Sequence, residues 1–413
     1  MPPHQDLLRG AALTPGFSAR ALRSVTAPTI AMTIRARELR ARGIEVMQLT
    51  IGEPDFDSPP HAIEAAHVAA LAGLTKYPPQ DGTPDLKAAI ARRHLRDHGL
   101  TVTPDQIVVG NGGKQVIFDA LLATVEAGDE VVIPTPAWPA YALMTEVVDG
   151  VPRSVPCTSN NGFRLDPATL KAAITARTRW VMLNSPNNPP GVALDRAELF
   201  AIGEVLAQHP HVWVMTDDMY GRLRFDGSPA MTLADIRPDL VDRLLTVDGA
   251  SKTYAMTGWR IGWGIGPPPL IRAMANMQGQ ATAGVSTVGQ AAAAAALDGS
   301  QDGVVRQVAA YRQRRDVVVT ALRAIDGVEC HVPDGAFYVF PSIVGLLGRR
   351  SPAGALLDTD AAFATALLDE AHVATVQGSG FGAPGHLRLS TATDESTLVR
   401  ACAAIAEFCR ALR

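Results

Sequence analysis

A doubly wound α/β architecture, with helices on both faces of a mainly parallel sheet, is the fold class this sequence predicts. Three observations carry that expectation. Between about residue 100 and residue 270, short β-prone runs alternate with helical stretches, the pattern of consecutive strand–helix–strand units. The runs are near-continuous in Val, Ile, Leu, Met and Trp, so both faces of each strand must be covered. Glycine, proline, asparagine and aspartate gather just after the runs, where open α/β sheets hold ligands beyond the carboxyl ends of their strands.

Taken in order, the segment from Met1 to about Pro60 is expected to be helical around Ile30 to Arg42 and to end in the turn-rich Ile51-Gly52-Glu53-Pro54-Asp55-Phe56-Asp57. Strands are expected at Gln106 to Val109, Glu130 to Ile133, Arg179 to Asn184, Val212 to Thr216, Leu244 to Val247 and Ile261 to Ile265. The six-alanine run Ala291 to Ala296 reads as a helix face for close packing. Beyond it come helices around Val304 to Ile325 and Thr359 to Glu370, with short strands at Phe337 to Phe340 and His386 to Leu389. The expected division is an N-terminal segment (1–60) packing on the small domain, a large domain (61–296) and a small α+β domain (297–413).

With 413 residues, 47% hydrophobic and 19% charged, the chain has the balance of a soluble globular protein rather than a disordered one. A net charge of -4 and scattered Lys and Arg argue against a nucleic-acid partner. Cys157, Cys330, Cys402 and Cys409 are too dispersed for a zinc ribbon or a disulfide scaffold. With no apolar leader and no run of about eighteen apolar residues, a cytoplasmic protein without membrane contact is expected. His94 and His98 have the spacing of a metal-binding pair, but amid Arg92, Arg93, Arg96 and Asp97 they read as a solvated basic face, and no metal centre is expected.

The chemistry-bearing residues follow the strand ends. Gly110-Asn111-Gly112-Gly113-Lys114 precedes the helical Gln115 to Thr124; glycines, free N–H groups and the helix dipole favour an anion there. A nucleotide P-loop is excluded by Val108 and Gln115 at its key positions. Trp138 follows the second strand and is a candidate to stack on a planar ring, or a core tryptophan. Asn188 lies in the rigid Asn184 to Gly191 loop, with an amide for a ligand or for an Asx-type turn. Asp217 closes a buried strand, where an unpaired carboxylate is costly, and Tyr220 follows three residues on. Lys252, with Ser251, follows the next strand; burial beside a cation lowers an amine's pKa and makes it a nucleophile toward carbonyls. Arg260 offers a bidentate phosphate clamp and Arg388 a partner for a substrate carboxylate.

In order and spacing these pieces, with Gly52-Glu53-Pro54-Asp55-Phe56, Lys76-Tyr77, Met256-Thr257-Gly258-Trp259-Arg260 and Gly335-Ala336-Phe337-Tyr338, resemble the pyridoxal 5'-phosphate aminotransferases of fold type I, in the aspartate aminotransferase-like bacterial branch. The resemblance runs from about Val25 to the C-terminus. It implies a mainly parallel seven-stranded sheet, pyridoxal phosphate as cofactor, and ping-pong transfer of an amino group from an L-amino acid, most of all aspartate or glutamate, to a 2-oxo acid. By it, Lys252 binds the cofactor aldehyde, Asp217 pairs with the ring nitrogen, Tyr220 and Asn188 hold the ring hydroxyl, and Trp138 stacks on the ring. Gly112, Gly113, Ser251 and Arg260 look like the phosphate cup, with Lys114 beside it and Tyr77 reaching in from the other subunit of a homodimer with shared active sites. Gly52 and Arg388, with Trp138 and Asn188, resemble the binders of the substrate α-carboxylate.

Two readings stand for Lys114, a reader of a distal substrate carboxylate or a lysine beside the phosphate. Pro190 and Ala137 depart from the family pattern on the substrate side of the pocket. A broad-specificity, aromatic-type or alanine-type aminotransferase and a fold type I C–S lyase are the alternatives.

Overall fold

Alternation within the strands decides how the sheet is buried. The structure is a computed structural model in which residues 16–23 and 28–413 are described; the residues before Gly16 lie outside them. Its strands are β1 (Met47–Gln48), β2 (Ile107–Asn111), β3 (Glu130–Thr135), β4 (Val151–Pro156), β5 (Thr178–Asn184), β6 (Trp213–Asp217), β7 (Leu244–Gly249), β8 (Ile261–Ile265), β9 (Tyr338–Val339), β10 (Val373–Ala374), β11 (Val376–Gln377) and β12 (Leu387–Ser390). Val131, Met182, Met215 and Leu245 share one core with the helices Gly113–Thr124 and Pro268–Ala281, while Val132, Val181, Val214 and Leu244 share another with Leu199, Ile202 and Leu206 of the helix Arg196–Ala207. Successive side chains leave a strand on opposite faces, so each run is apolar throughout because both faces are covered. Each such Val or Leu taken from water contributes roughly 1.5–3 kcal/mol.

The large sheet has seven strands in the order β2-β8-β7-β6-β5-β3-β4. Neighbours pair in parallel except β8, which is antiparallel to both β2 and β7. The start of β8 therefore lies at the same rim as the carboxyl ends of its neighbours. That reversal brings Arg260, which precedes β8, beside Asn111 at the end of β2.

One strand of the large sheet, β4, was not expected from the sequence, nor were the two-residue strands β1, β10 and β11 outside it. Strand β4 carries Pro152 and Pro156 and is mostly exposed, because an edge strand tolerates proline and needs no apolar run. The alanine run lies on the helix Thr287–Asp298, where Ala292, Ala293 and Ala296 are buried against the helices Pro60–Leu71 and Pro84–His98.

Around the C-terminal third, β1 pairs with β10 in parallel, and β12 runs antiparallel between β11 and β9. Met32, Ala36, Val46 and Leu49 share a core with Val318, Phe363, Leu367 and Phe408. The stretch from Met32 to Leu49 is thereby fastened to the chain beyond residue 300.

The helix Pro84–His98 corrects the reading of His94 and His98 as a solvated face. Arg93 and His94 are buried, with Arg93 paired to Asp248 at 2.7 Å and His98 to Asp235 at 2.9 Å. The partners come from far along the chain, Asp248 on β7 and Asp235 on the short helix Leu233–Ile236. Among the described residues, no group of three or more His, Cys, Asp or Glu is placed to hold a metal ion.

Candidate active site

The strand ends open into one cavity of about 740 Å³, lined by residues from both ends of the chain. Register places its floor: Asn184 on β5 pairs with Asp217 on β6, which pairs in turn with Val247 on β7. Asn184 donates to the Asp217 carbonyl at 2.7 Å and accepts from the Asn188 backbone N–H at 3.0 Å. The loop carrying Asn188 is thus tied to the strand that carries Asp217.

Asp217 is buried, and burial raises its carboxyl to about 6 against the opposing hydrogen bonds from Tyr141 and the Met219 backbone. Tyr141 lies on the helix Ala140–Val147 and approaches Asp217 Oδ2 at 2.6 Å. Trp138 meets Tyr141 edge to face with ring centroids 5.5 Å apart, and its own face receives Lys114 Nζ at 4.9 Å. Burial, with Arg260 adding to it, lowers the Lys114 pKa. Tyr220 Oη lies 3.0 Å from Tyr338 Oη, both hydroxyls being buried.

Lys252 enters from the short helix after β7, and its Nζ donates to the Gly52 carbonyl at 2.5 Å. Desolvation lowers the amine to about 8, with Arg260 and Arg388 pushing the same way against Glu53 and Asp217. A substantial neutral fraction near neutrality is what a carbonyl-attacking amine requires.

At the rim, the helix Gly113–Thr124 begins at Gly112, whose φ of 80° lies in the left-handed region. A Cβ there would run into the Arg260 guanidinium. Arg260 is itself fixed by donating to the Thr257 and Asn111 carbonyls at 3.0 and 3.1 Å. Helix N–H groups, Ser251 and this guanidinium border one part of the cavity, a combination of donors that suits an anion.

Arg388, on β12, is buried. It donates to the Thr50 carbonyl at 2.6 Å and to Asn188 Oδ1 at 3.2 Å, leaving its Nε without a partner among the described residues. A buried guanidinium lacking a carboxylate is costly unless a ligand supplies one.

Of the residues singled out from sequence, Gly52, Gly113, Lys114, Trp138, Asn188, Asp217, Tyr220, Ser251, Lys252, Arg260 and Arg388 line this one cavity. Gly112 lies just outside the lining, next to Gly113. Tyr77 lies away from it and is 92% exposed. Sequence reasoning missed Tyr141, although its place three residues after Trp138 puts both on one side of a helical turn. It also passed over Thr33 and Arg37 of the helix Pro28–Ala41, which line the mouth.

Comparison with known proteins gives a consistent result. A family model described as aminotransferase class I and II matches residues 44–405. An aspartate/prephenate aminotransferase of Cereibacter sphaeroides is 49% identical over 384 residues, covering 93% of this chain and 96% of that protein. An aspartate aminotransferase of Rhizobium meliloti is 48% identical, covering 91% and 92%. Among solved structures, an aspartate aminotransferase from Rhizobium meliloti matches with a TM-score of 0.94 at 45% identity, covering 96% of this chain and all of that one. A Thermus thermophilus aspartate aminotransferase solved with maleate matches at 0.89 and 37%, covering 95% and 99%. The mainly parallel seven-stranded sheet, the cavity at its carboxyl rim and these matches converge: the chain belongs to the aminotransferase class I and II family and is an aminotransferase.

Proposed function

We propose that the cavity binds pyridoxal 5'-phosphate and that the protein transfers the amino group of an L-amino acid, foremost aspartate or glutamate, to a 2-oxo acid in two half-reactions. The observation that carries this reading is the convergence of the Lys252 amine, the buried Asp217 carboxylate and the buried Arg388 guanidinium, whose Nε has no partner among the described residues, on one cavity beside a helix N-terminus suited to an anion. These groups fit a ligand bearing an aldehyde, a basic ring nitrogen and a phosphate, together with a substrate carboxylate.

When bound, the cofactor supplies an aldehyde for amine exchange and a protonated ring as an electron sink. Asp217 holds the proton on the ring nitrogen, and Tyr141 keeps the carboxylate anionic. Gly112, Gly113, Ser251 and Arg260 hold the phosphate, with Tyr220 and Asn188 on the ring hydroxyl and Trp138 against the ring face. Arg388 fixes the substrate α-carboxylate, with Gly52 close by. Lys252 Nζ then takes the α-proton as general base.

Lys114 is assigned to the distal carboxylate of a dicarboxylic substrate. Its amine has no carboxylate partner among the described residues, lines the cavity and is partly desolvated. Maleate, a dicarboxylate, accompanies the Thermus structure, and the relatives are named for aspartate.

Residues 61–296 act as the large cofactor domain and 297–413 as the small domain, with the stretch from Met32 to Leu49 joining the latter while Arg20 pairs with Asp149 of the former. Two chains associate, each lending Tyr77 to the other's phosphate site; Val68, Leu71, Leu74 and Tyr77 form an exposed apolar stretch that a second copy would cover. No helix among the described residues is long and apolar enough to cross a membrane, and all four cysteines are free and buried, consistent with a cytoplasmic site of action.

Borohydride reduction of the cofactor-loaded protein, followed by peptide mapping, tests the assignment. The cofactor mass is expected on Lys252; a label on another lysine, or none, would contradict it.

A further inference from the structure

Asp217 is followed by a second buried carboxylate, and the two line different spaces. Asp217 lines the large cavity, whereas Asp218 lines a separate small void of about 20 Å³ together with Arg93, His94, His98, Thr246 and Asp248. A void needs about 10–15 Å³ to admit one water with several polar partners. This one has room for one.

The charges around the void leave Asp218 without a cation of its own. Arg93 pairs with Asp248 at 2.7 Å and with Asp97 at 3.2 Å, Arg222 adds to Asp97 at 3.5 Å, and His98 pairs with Asp235 at 2.9 Å. Thr232 approaches one Asp218 oxygen; the other, Oδ2, is buried with no partner among the described residues. A carboxyl group in that position takes up a proton rather than remain charged.

We propose that Asp218 is a positioning residue for transamination: it holds a proton, shared through one water in this void with His98 and Asp248, so that of the two consecutive carboxyl groups Asp217 carries the charge. This rests on Asp217 facing the cofactor ring. Burial raises Asp218 to about 8 and Asp217 to about 6, the order the proposal requires. Burial also lowers His94 to about 4, leaving it neutral, while burial of His98 is outweighed by Asp235, which raises it. Asp248 is raised by burial against the pull of Arg93. Were Asp218 ionised, its charge would raise the proton affinity of Asp217 and weaken the ring-nitrogen partner.

The linkage has a defined sign. An acid whose pKa rises on folding opposes folding between its unfolded and folded values, so Asp218 costs stability increasingly from about pH 4 to about pH 8 and no further above that. Asp218→Asn cannot ionise, so the Tm of the variant minus that of the wild type is expected to climb across this interval and then level. A pH-independent difference would overturn the proposal. In the wild type, infrared spectroscopy should show a buried carboxylic-acid carbonyl stretch with a component that titrates away near pH 8, above those of Asp217 and Asp119 at about 6 and about 7, and that is missing in Asp218→Asn; survival of the pH 8 component in the variant would overturn it too. For the link to catalysis, the ratio of kcat, variant over wild type, is expected to rise several-fold above pH 8 while the ratio of KM for L-aspartate stays level. A flat kcat ratio would break that link. Failure of the wild type to bind pyridoxal phosphate would instead overturn the reading of Asp217, and the infrared band, which needs no cofactor, still decides the protonation of Asp218.

Discussion

Tyr141 donates its phenolic proton to Asp217 Oδ2 across 2.6 Å, and both groups are buried. The bond opposes the burial that raises Asp217, so the tyrosine acts on the charge of the residue assigned to the ring nitrogen. Tyr141→Phe removes the donor and nothing else of comparable size. A hydrogen bond to a charged group contributes roughly 1.5–3 kcal/mol. We expect kcat with L-aspartate to fall at least about tenfold, with KM little changed; steady-state kinetics check this, and an unaltered kcat would remove Tyr141 from the mechanism.

Cofactor capture by the protein freed of pyridoxal phosphate should follow the neutral fraction of Lys252. Its amine is lowered to about 8 by desolvation, aided by Arg260 and Arg388. Below that value the capture rate rises about tenfold per pH unit, and above it the rate levels. Rapid-mixing absorbance would show a midpoint near pH 8; a midpoint near the ordinary lysine value of about 10.4 would mean that the cavity does not tune the amine.

Lys114→Ala separates the two roles open to that lysine. As a reader of the distal carboxylate, its loss raises KM for L-aspartate and L-glutamate by about tenfold or more while sparing L-alanine. An equal loss toward all three donors, with weaker cofactor binding, would place the lysine at the phosphate instead.

Gly262→Ala probes the anion site from beneath. A Cβ on Gly262 would run into the backbone nitrogen of Gly113 at the start of the phosphate-facing helix. Neither backbone segment can yield without shifting β8 or the helix. We expect a stability loss of roughly 1–3 kcal/mol by denaturant unfolding, with cofactor affinity reduced in titration; an unchanged affinity would show that the helix start is not part of the phosphate site.

How much could be read from the sequence depended on where each signal lies. Asp217, Asn188 and Lys252 announce themselves because polar groups follow directly on apolar runs, where burial is costly without a function. Of the six strands expected in the large sheet, five differ from the observed ones by only a residue or two at one or both ends, and Ile261–Ile265 does not differ. β4 escaped because an edge strand has no need of an apolar pattern and here carries two prolines. Tyr141 reads as an ordinary core aromatic until its partner is seen. The Arg93, His94 and His98 face looked solvated because the aspartates that bury it, Asp235 and Asp248, lie more than a hundred residues further on. Local composition does not distinguish a wet charged face from a buried network whose partners are distant in sequence.

The central claim is that Lys252 and Asp217 operate a bound pyridoxal phosphate on an amino acid, and the most direct test is an absorption spectrum. The purified protein, supplied with pyridoxal phosphate, would be measured before and after L-aspartate, beside Lys252→Ala under the same conditions. We expect a yellow band in the wild type that L-aspartate bleaches as the amino group moves to the cofactor, with the oxo acid appearing in equal amount. The lysine variant should lack the lysine-dependent band. A wild-type protein that gains no band, or a band that no amino acid changes, would contradict the account.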